Sequence, residues 1–195
     1  MRVICRLGAT GHLALGLALA FSTIQCQAQP VDFLKHVNAS EGFSVHYLAS
    51  WNKIEPNEQV TKLLVRSPSQ TSRCWITVVP NPMAKQEYAS EIVRSLIGNR
   101  AGVEAELKKT YAQVYVSSIR AVQMAGQHTS ALMSYVFRSK NYDASIIVKV
   151  MEAHVFANQS TYKVGCSEAS TNEGFSQEYT GNSTPFMRSF QIFAK

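Results

Sequence analysis

The sequence lacks the short motifs that mark the common catalytic sites. It contains no HExxH zinc motif, no GxSxG nucleophile elbow, no GxxxxGK[ST] phosphate loop and no GxGxxG dinucleotide turn. No two histidines after residue 28 stand at the spacing of a metal-binding pair. We therefore predict no catalytic residue, no cofactor-binding residue and no metal ligand, and we do not expect an enzyme.

Clustered basic charge is also absent. The chain has 19 Lys and Arg residues against 13 Asp and Glu residues, a formal net charge of +6. No run of basic residues is longer than Lys108-Lys109. Nucleic-acid-binding domains usually gather such residues into a patch or stripe. The sequence therefore predicts a solvated surface and no nucleic-acid partner.

Acidic residues are missing before Asp32, and the segment that lacks them has the order of a targeting signal. Arg2 and Arg6 come first, and residues 12–21 form an apolar run of helix-forming residues. This order is typical of a secretory signal peptide. The run is too short to span a hydrocarbon core, which needs about 20 residues. We expect export to the periplasm or the medium, without stable membrane insertion.

The cleavage site follows from the small residues at the end of this segment. We predict that residues 1–28 are removed by a cut between Ala28 and Gln29, with Cys26 three positions before the new N-terminus. The alternative is a lipoprotein that begins at Cys26. Lipoprotein processing favours a small residue just before the lipidated cysteine, whereas Gln25 is bulky and polar.

Cysteine is scarce, and only Cys74 and Cys166 remain after such a cut. Each lies in a strand-like segment. A pair of this kind in an exported chain is more often bonded than free, so we predict a disulfide between them. The alternative is two separate buried thiols. Neither cysteine belongs to a CxxC motif, which argues against a redox-active site.

Hydrophobic periodicity predicts a β-rich chain with helices in two places. Alternating apolar residues indicate strands, and four-residue steps indicate helices. At the C-terminus, Ser183 or Thr184 can cap a helix that has Pro185 in its first turn. The predicted strands cover residues 42–48, 60–68, 74–80, 113–124, 129–138, 144–157 and 160–169, and the predicted helices cover residues 84–98, 102–111 and 183–193.

The connections between these segments indicate the fold class. The last four strands are joined by short polar turns, which make neighbouring strands antiparallel. We expect the helices to cover one face of the sheet. The predicted fold is α+β, with an antiparallel sheet of about six to seven strands packed with helices. Residues 42–195 would form one domain, preceded by a flexible entry segment at residues 29–41.

Two segments resemble the PsbP-like superfamily. The opening "GFSVHYLASW" is similar to the G-F-S-x-x-Y-P-x-x-W start of that family, and "PFMRSFQIF" is similar to its closing F-x-x-x-x-x-S-F helix. The superfamily includes the extrinsic photosystem protein, a nuclear-import accessory factor and DcrB-like bacterial envelope proteins. The resemblance covers about residues 41–193. It implies an α-β sandwich, an accessory or docking role, and no family-wide catalytic residues.

These observations favour a non-catalytic accessory or protein-binding module with a protein partner in the cell envelope. An inhibitor or immunity protein is one form of it. Trp51 and Trp75 are candidate partner contacts, because tryptophan often anchors interfaces. A first alternative is a carrier of a small apolar ligand. A second is a hydrolase whose fold gathers His46 or His154 with a carboxylate and a serine.

Overall fold

A computed structural model describes residues 31–138, 146–171 and 175–193, together with two short N-terminal strands. Those strands, β1 (Val3–Cys5) and β2 (Cys26–Ala28), pair antiparallel within a unit of residues 1–32. The rest of the predicted signal peptide lies outside the described residues, as does Gln29. The signal peptide and its cleavage site therefore stay predictions.

The second unit, residues 33–195, carries the elements that form the predicted fold. None of the helices in its described part is long and apolar enough to cross a bilayer. The strands are β3 (Phe33–Asn38), β4 (Phe43–Leu48), β5 (Asn52–Ile54), β6 (Thr61–Arg66), β7 (Ser72–Pro80), β8 (Ala112–Met124), β9 (His128–Arg138), β10 (Ile147–Ala157), β11 (Ser160–Ser170) and β12 (Gln191–Ile192), and the helices are α1 (Gln86–Gly98), α2 (Arg100–Thr110) and α3 (Gln177–Ser189).

Seven of these strands form one antiparallel sheet in the order β5-β6-β7-β11-β10-β9-β8. A smaller antiparallel sheet has the order β12-β4-β3. This arrangement confirms the predicted α+β class, an antiparallel sheet packed with helices. The sheets are two, however, because β4 pairs with β3 and β12 and not with a strand of the large sheet.

The first face of the large sheet packs against α3 and the small sheet. Alternate residues of β7, among them Cys74 and Ile76, are buried on this face. They meet Phe43 of β4, Phe186 of α3 and Phe190, all fully buried. Aromatic side chains bury large apolar areas, so this layer is the main hydrophobic core.

The second face is covered only in part. Helix α1 packs on β8, β9 and β10, where its Val93 joins Ala131 and Phe156 in a buried cluster. Helix α2 packs beside it over the β8 end of the sheet, through its half-buried Val103 and Leu107. The prediction that helices cover one face is therefore wrong, since helices lie on both faces. No helix in the described part of the chain packs over β5, β6, β7 and β11 on this second face.

The C-terminal helix begins earlier than the sequence indicated. It starts at Gln177, so Pro185 lies inside it and not in its first turn. The cap is Ser176, whose Oγ accepts a hydrogen bond from the Tyr179 N–H at 3.1 Å. The Ser176 N–H in turn donates to the buried Glu168 carboxylate at 3.0 Å. The start is therefore fixed in part by Glu168 of β11, which precedes Ser176 by eight positions.

The predicted flexible entry at residues 29–41 contains a strand instead. Strand β3 pairs with β4 along six register positions, from Phe33 with Leu48 to Asn38 with Phe43. Its side chains are mostly exposed on both sides, so it lacks the apolar–polar alternation of a half-buried strand. This strand has no buried face, so its hydrogen bonds to β4 hold it in position.

The predicted disulfide is present. Cys74 of β7 and Cys166 of β11 are direct register partners, both fully buried, and their sulfurs are bonded. They are 92 residues apart in sequence. Closing so long a loop restricts the unfolded chain, and removal of such a bond typically costs about 2–5 kcal/mol.

We expect the double substitution Cys74→Ala and Cys166→Ala to lower the free energy of unfolding by about 2–5 kcal/mol. Denaturant unfolding followed by circular dichroism measures the change. As a control, reductant should lower the midpoint of the wild type and leave that of the double variant unmoved. Identical midpoints for both proteins, with and without reductant, would contradict this account.

Candidate functional site

The open half of the second face forms a cleft of about 580 Å³. The sheet is its floor, Tyr111 from the end of α2 stands on one side, and the loop of residues 55–60 stands on the other. Its lining mixes aromatic, cationic and polar side chains. The lining includes Glu55, Glu58, Leu64, Arg66, Arg73, Trp75, Thr77, Tyr135, Phe137, Val150, Glu152, Lys163 and Ser167.

Strand register arranges these side chains in rows across the sheet, because residues of one strand that share a face are two positions apart. The first row is Asn52, Arg66, Arg73, Ser167, Val150 and Tyr135. The second row is Ile54, Leu64, Trp75, Gly165, Glu152 and Met133. The third row is Thr61, Thr77, Lys163, His154 and Ala131.

Register places Trp75 in the second row, and its neighbour Gly165 leaves room for the indole to lie across the sheet. A Cβ atom at Gly165 would come within 2.5 Å of the Trp75 ring atom Cζ2, so the indole lies directly on the Gly165 backbone. From there its Nε1–H donates to Glu152 Oε2 at 3.2 Å. The glycine is thus a requirement for the position of the indole.

Glu152 is a buried carboxylate with several partners. Its Oε1 lies 2.7 Å from His154 Nε2, on the same face of β10. Burial alone would raise the pKa of Glu152, but the hydrogen bond and charge of His154 lower it, helped by Lys163 and the Trp75 bond. The net result is a lowered pKa. Glu152 is therefore an ionised group held in place by its neighbours.

Two tyrosines stand next to this carboxylate and stay protonated. Burial, followed by the negative charge of Glu152, raises the pKa of Tyr111 and of Tyr135. Tyr111 also stacks on Phe137, with ring centres 3.9 Å apart. The α2 side of the cleft is thus a neutral aromatic wall.

Three cations face the same cleft. Arg66, Arg73 and Lys163 all line it, and none of them belongs to a salt bridge among the described residues. Arg73 is held by a hydrogen bond from its Nε–H to Ser167 Oγ at 3.2 Å, with its guanidinium 5.8 Å from the Trp75 ring centre. The cleft therefore combines an aromatic floor with three cations that form no salt bridge among the described residues.

The two tryptophans predicted as partner contacts, Trp51 and Trp75, lie in different surroundings. Trp75 is half-buried in the cleft, where a partner can touch it. Trp51 is only 3% exposed and packs in the core on the first face. The expectation of a partner contact at Trp51 is corrected, because burial removes its indole from the surface.

The two histidines proposed for a hydrolase are also apart. His154 meets a carboxylate, whereas His46 lies in β4 and its backbone N–H donates to Ser189 Oγ at 2.8 Å. Within the rows of the cleft, the serine is Ser167, which pairs with Val150 and bonds Arg73. His154 has Lys163 as its register partner on β11, and Ser167 is four positions further along that strand, two rows away. No nucleophile–base pair is formed there.

The described part of the chain contains no group of side chains that could bind a metal ion. No cluster of three His, Cys, Asp or Glu side chains there could hold an ion. Glu152 and His154 are bonded to each other and have Lys163 as the adjacent charge, which disfavours a second cation.

Sequence reasoning missed Arg66, Arg73, Lys163 and Tyr111 as members of one site. A signal existed within single strands, since "LLVR" and "RCW" place Leu64 with Arg66 and Arg73 with Trp75 on one face. The register between strands was needed to bring the two pairs together, and it is not readable from one sequence.

Comparison with solved structures finds the same fold elsewhere. The solution structure of cyanobacterial PsbP (CyanoP) from Synechocystis sp. PCC 6803 matches with a TM-score of 0.58 and 9% identity, over 96% of this chain and 99% of that chain. This match confirms the PsbP-like fold that the opening and closing segments indicated. Identity at this level shows the fold alone.

A second match is a crystal structure of a protein from Bacteroides thetaiotaomicron VPI-5482. Its TM-score is 0.50 with 14% identity, over 83% of this chain and 48% of that one. The chain thus spans about half the length of that protein. No family model and no curated protein matches the sequence.

We expect Gly165→Ala to displace the Trp75 indole, because the added methyl would overlap the ring. Overpacking of this kind costs about 1–3 kcal/mol. Denaturant unfolding measures the cost, and the indole N–H signal in a ¹H–¹⁵N spectrum reports the broken bond to Glu152.

Gly181→Ala in α3 is the matched control, since nothing lies within 4 Å of its added Cβ. It should be neutral or stabilising by about 0.5–1 kcal/mol, because alanine favours helices. If Gly165→Ala is as stable as the wild type with an unchanged Trp75 signal, the described packing is wrong.

Proposed function

We propose that this chain is an exported, non-catalytic binding module that docks an extended segment of a cell-envelope partner protein in the cleft. The observation that carries the proposal is the half of the second sheet face that no described residue covers. Its side chains form a concave surface with Trp75 and Leu64 on the floor and the cations Arg66, Arg73 and Lys163 beside them. Aromatic and arginine side chains are the types most enriched at interface hot spots.

The occupant is argued from shape and charge together. The floor is built from strands, so an extended segment can lay alternate side chains against successive rows. Arg66, Arg73 and Lys163 favour a segment of net negative charge. Export is supported by the charge pattern before Asp32 and by the buried Cys74–Cys166 bond, which suits an oxidising compartment.

A carrier of a small apolar ligand is less well supported. Such a site is an enclosed, mostly apolar cavity with few polar groups. The cleft instead exposes two arginines, a lysine and several polar side chains to its occupant. On the first face, the space between sheet and α3 is filled by Phe43, Phe186 and Phe190, which are fully buried.

A hydrolase is also less well supported. The Glu152–His154 pair could orient a general base, but the cleft rows place no serine beside His154. Glu152 also accepts the Trp75 indole bond, which fixes it as part of the floor. These groups favour a rigid binding surface over a reaction centre.

The test places a photo-reactive phenylalanine analogue at Leu64 in the cleft and, as a matched control, at Tyr88 on the outer side of α1. Leu64 is half-buried in the cleft, and Tyr88 is 38% exposed. In the native host, we expect the Leu64 probe to cross-link one protein that the Tyr88 probe leaves unlinked. Mass spectrometry identifies that protein and the linked segment.

The identified protein, once purified, should bind the wild type in solution. Leu64→Glu should weaken binding at least about tenfold, because it puts a charge into an apolar contact. Tyr88→Glu should leave the affinity unchanged. Binding that is insensitive to Leu64→Glu would show that the partner docks elsewhere.

A further inference from the structure

Two arginines stand directly opposite each other at one end of the cleft. Arg66 of β6 and Arg73 of β7 are register partners, and both line the cleft. Residues paired in this way have Cβ atoms about 4.5–5.5 Å apart, and like charges in such a pair destabilise the sheet. A pair that costs stability in the free protein calls for a physical reason.

No carboxylate of the described residues forms a salt bridge with either arginine. Glu152, on the neighbouring row, is bonded to His154 and Trp75. Glu55 and Glu58 line the cleft from the 55–60 loop and pair with neither arginine. Among the described residues, the two guanidinium groups are therefore free to bind an external anion.

Arg73 is already oriented for such a contact. Its Nε–H donates to Ser167 Oγ, and its guanidinium stands 5.8 Å from the Trp75 ring centre. The terminal guanidinium nitrogens remain to donate elsewhere. A side chain fixed by two contacts loses less rotamer freedom when it binds a ligand.

We propose that Arg66 and Arg73 together bind a carboxylate of the docked segment, an inference that rests on the function proposed above. Guanidinium groups match carboxylates through two parallel N–H···O bonds. The anion would sit between two like charges and relieve their repulsion. The partner segment would thus carry an Asp or Glu side chain at this row.

The next row defines a second feature of the segment. Leu64 and Trp75 are register partners two positions along from Arg66 and Arg73. Side chains on one side of an extended segment are also two positions apart, about 6.6–6.8 Å. The segment would therefore carry an apolar side chain two positions from its carboxylate, which gives a pattern of acidic, any, apolar.

The test uses three synthetic peptides in a glycine–serine background. The first has Glu and Phe two positions apart, the second has Gln in place of Glu, and the third has Glu and Phe adjacent. Each is titrated into ¹⁵N-labelled protein while the Trp75 indole N–H is followed. The sequence has two tryptophans, and loss of one signal in Trp75→Phe assigns it.

We expect the first peptide to bind about tenfold more tightly than the other two, since a charge-assisted hydrogen bond is worth about that factor. Arg66→Gln and Arg73→Gln should each abolish the preference for Glu over Gln. Arg94→Gln, on the exposed side of α1, is the matched control and should keep it. Added salt should weaken the first peptide selectively.

Equal binding of the Glu and Gln peptides, or no perturbation of Trp75 by any of them, overturns the carboxylate site. A different result would contradict the proposed function: the cross-linked partner would bind Leu64→Glu as tightly as it binds the wild type. The partner could also lose affinity for Leu64→Glu and bind Arg66→Gln and Arg73→Gln as it binds the wild type. That result would support docking in the cleft and contradict only the carboxylate site.

Discussion

The register between β7 and β11 is the constraint on which the rest of the structure depends. It is fixed at Cys74 and Cys166, which are paired across the two strands and bonded in the core. Because side chains alternate with a period of two, a slip of one residue would move every apolar group to the opposite face. The same alternation that buries Ile76 on one face presents Arg73 and Trp75 on the other.

The cleft follows from how far the helices reach across the second face. Helices α1 and α2 cover the β8 side of the sheet, and the β5 side has no cover in the described residues. An open sheet face must then remain wetted or be covered by a partner. Here it carries a half-buried Trp75 and three cations that form no salt bridge among the described residues. It also carries a buried Glu152, whose oxygens are satisfied by His154 and Trp75. These hydrogen bonds orient the side chains before binding, and side chains that are already oriented lose little entropy on binding.

The sequence allowed the fold to be predicted where the pattern is local. Alternation identified β4, β6, β7 and the strands from β8 to β11, whereas β12 lies in the segment predicted as the C-terminal helix. The export signal and the strand-like segments predicted the Cys74–Cys166 bond. Strand β3 was missed because both of its sides are exposed, which removes the alternation that marks a strand. The start of α3 was missed because its cap depends on Glu168, a residue of β11 brought there by folding.

The candidate site was less predictable than the fold. The sequence indicated Trp75 and His154 as candidate residues. It did not indicate that Arg66 and Arg73 face each other, because strand register alone brings them together. Register is set by the whole sheet, including a bulge between Thr61 and Leu63. Gly165 likewise gave no signal until the Trp75 ring was found on its backbone.

The most direct test of the account is to map intermolecular nuclear Overhauser effects in the complex with the cross-linked partner. The exposed apolar edge strand β3 offers the competing surface, with Leu34 and Val37 about half exposed. The account predicts contacts from the partner to the Leu64 methyl groups and the Trp75 ring. Contacts to Leu34 and Val37 with none to Leu64 or Trp75 would contradict it.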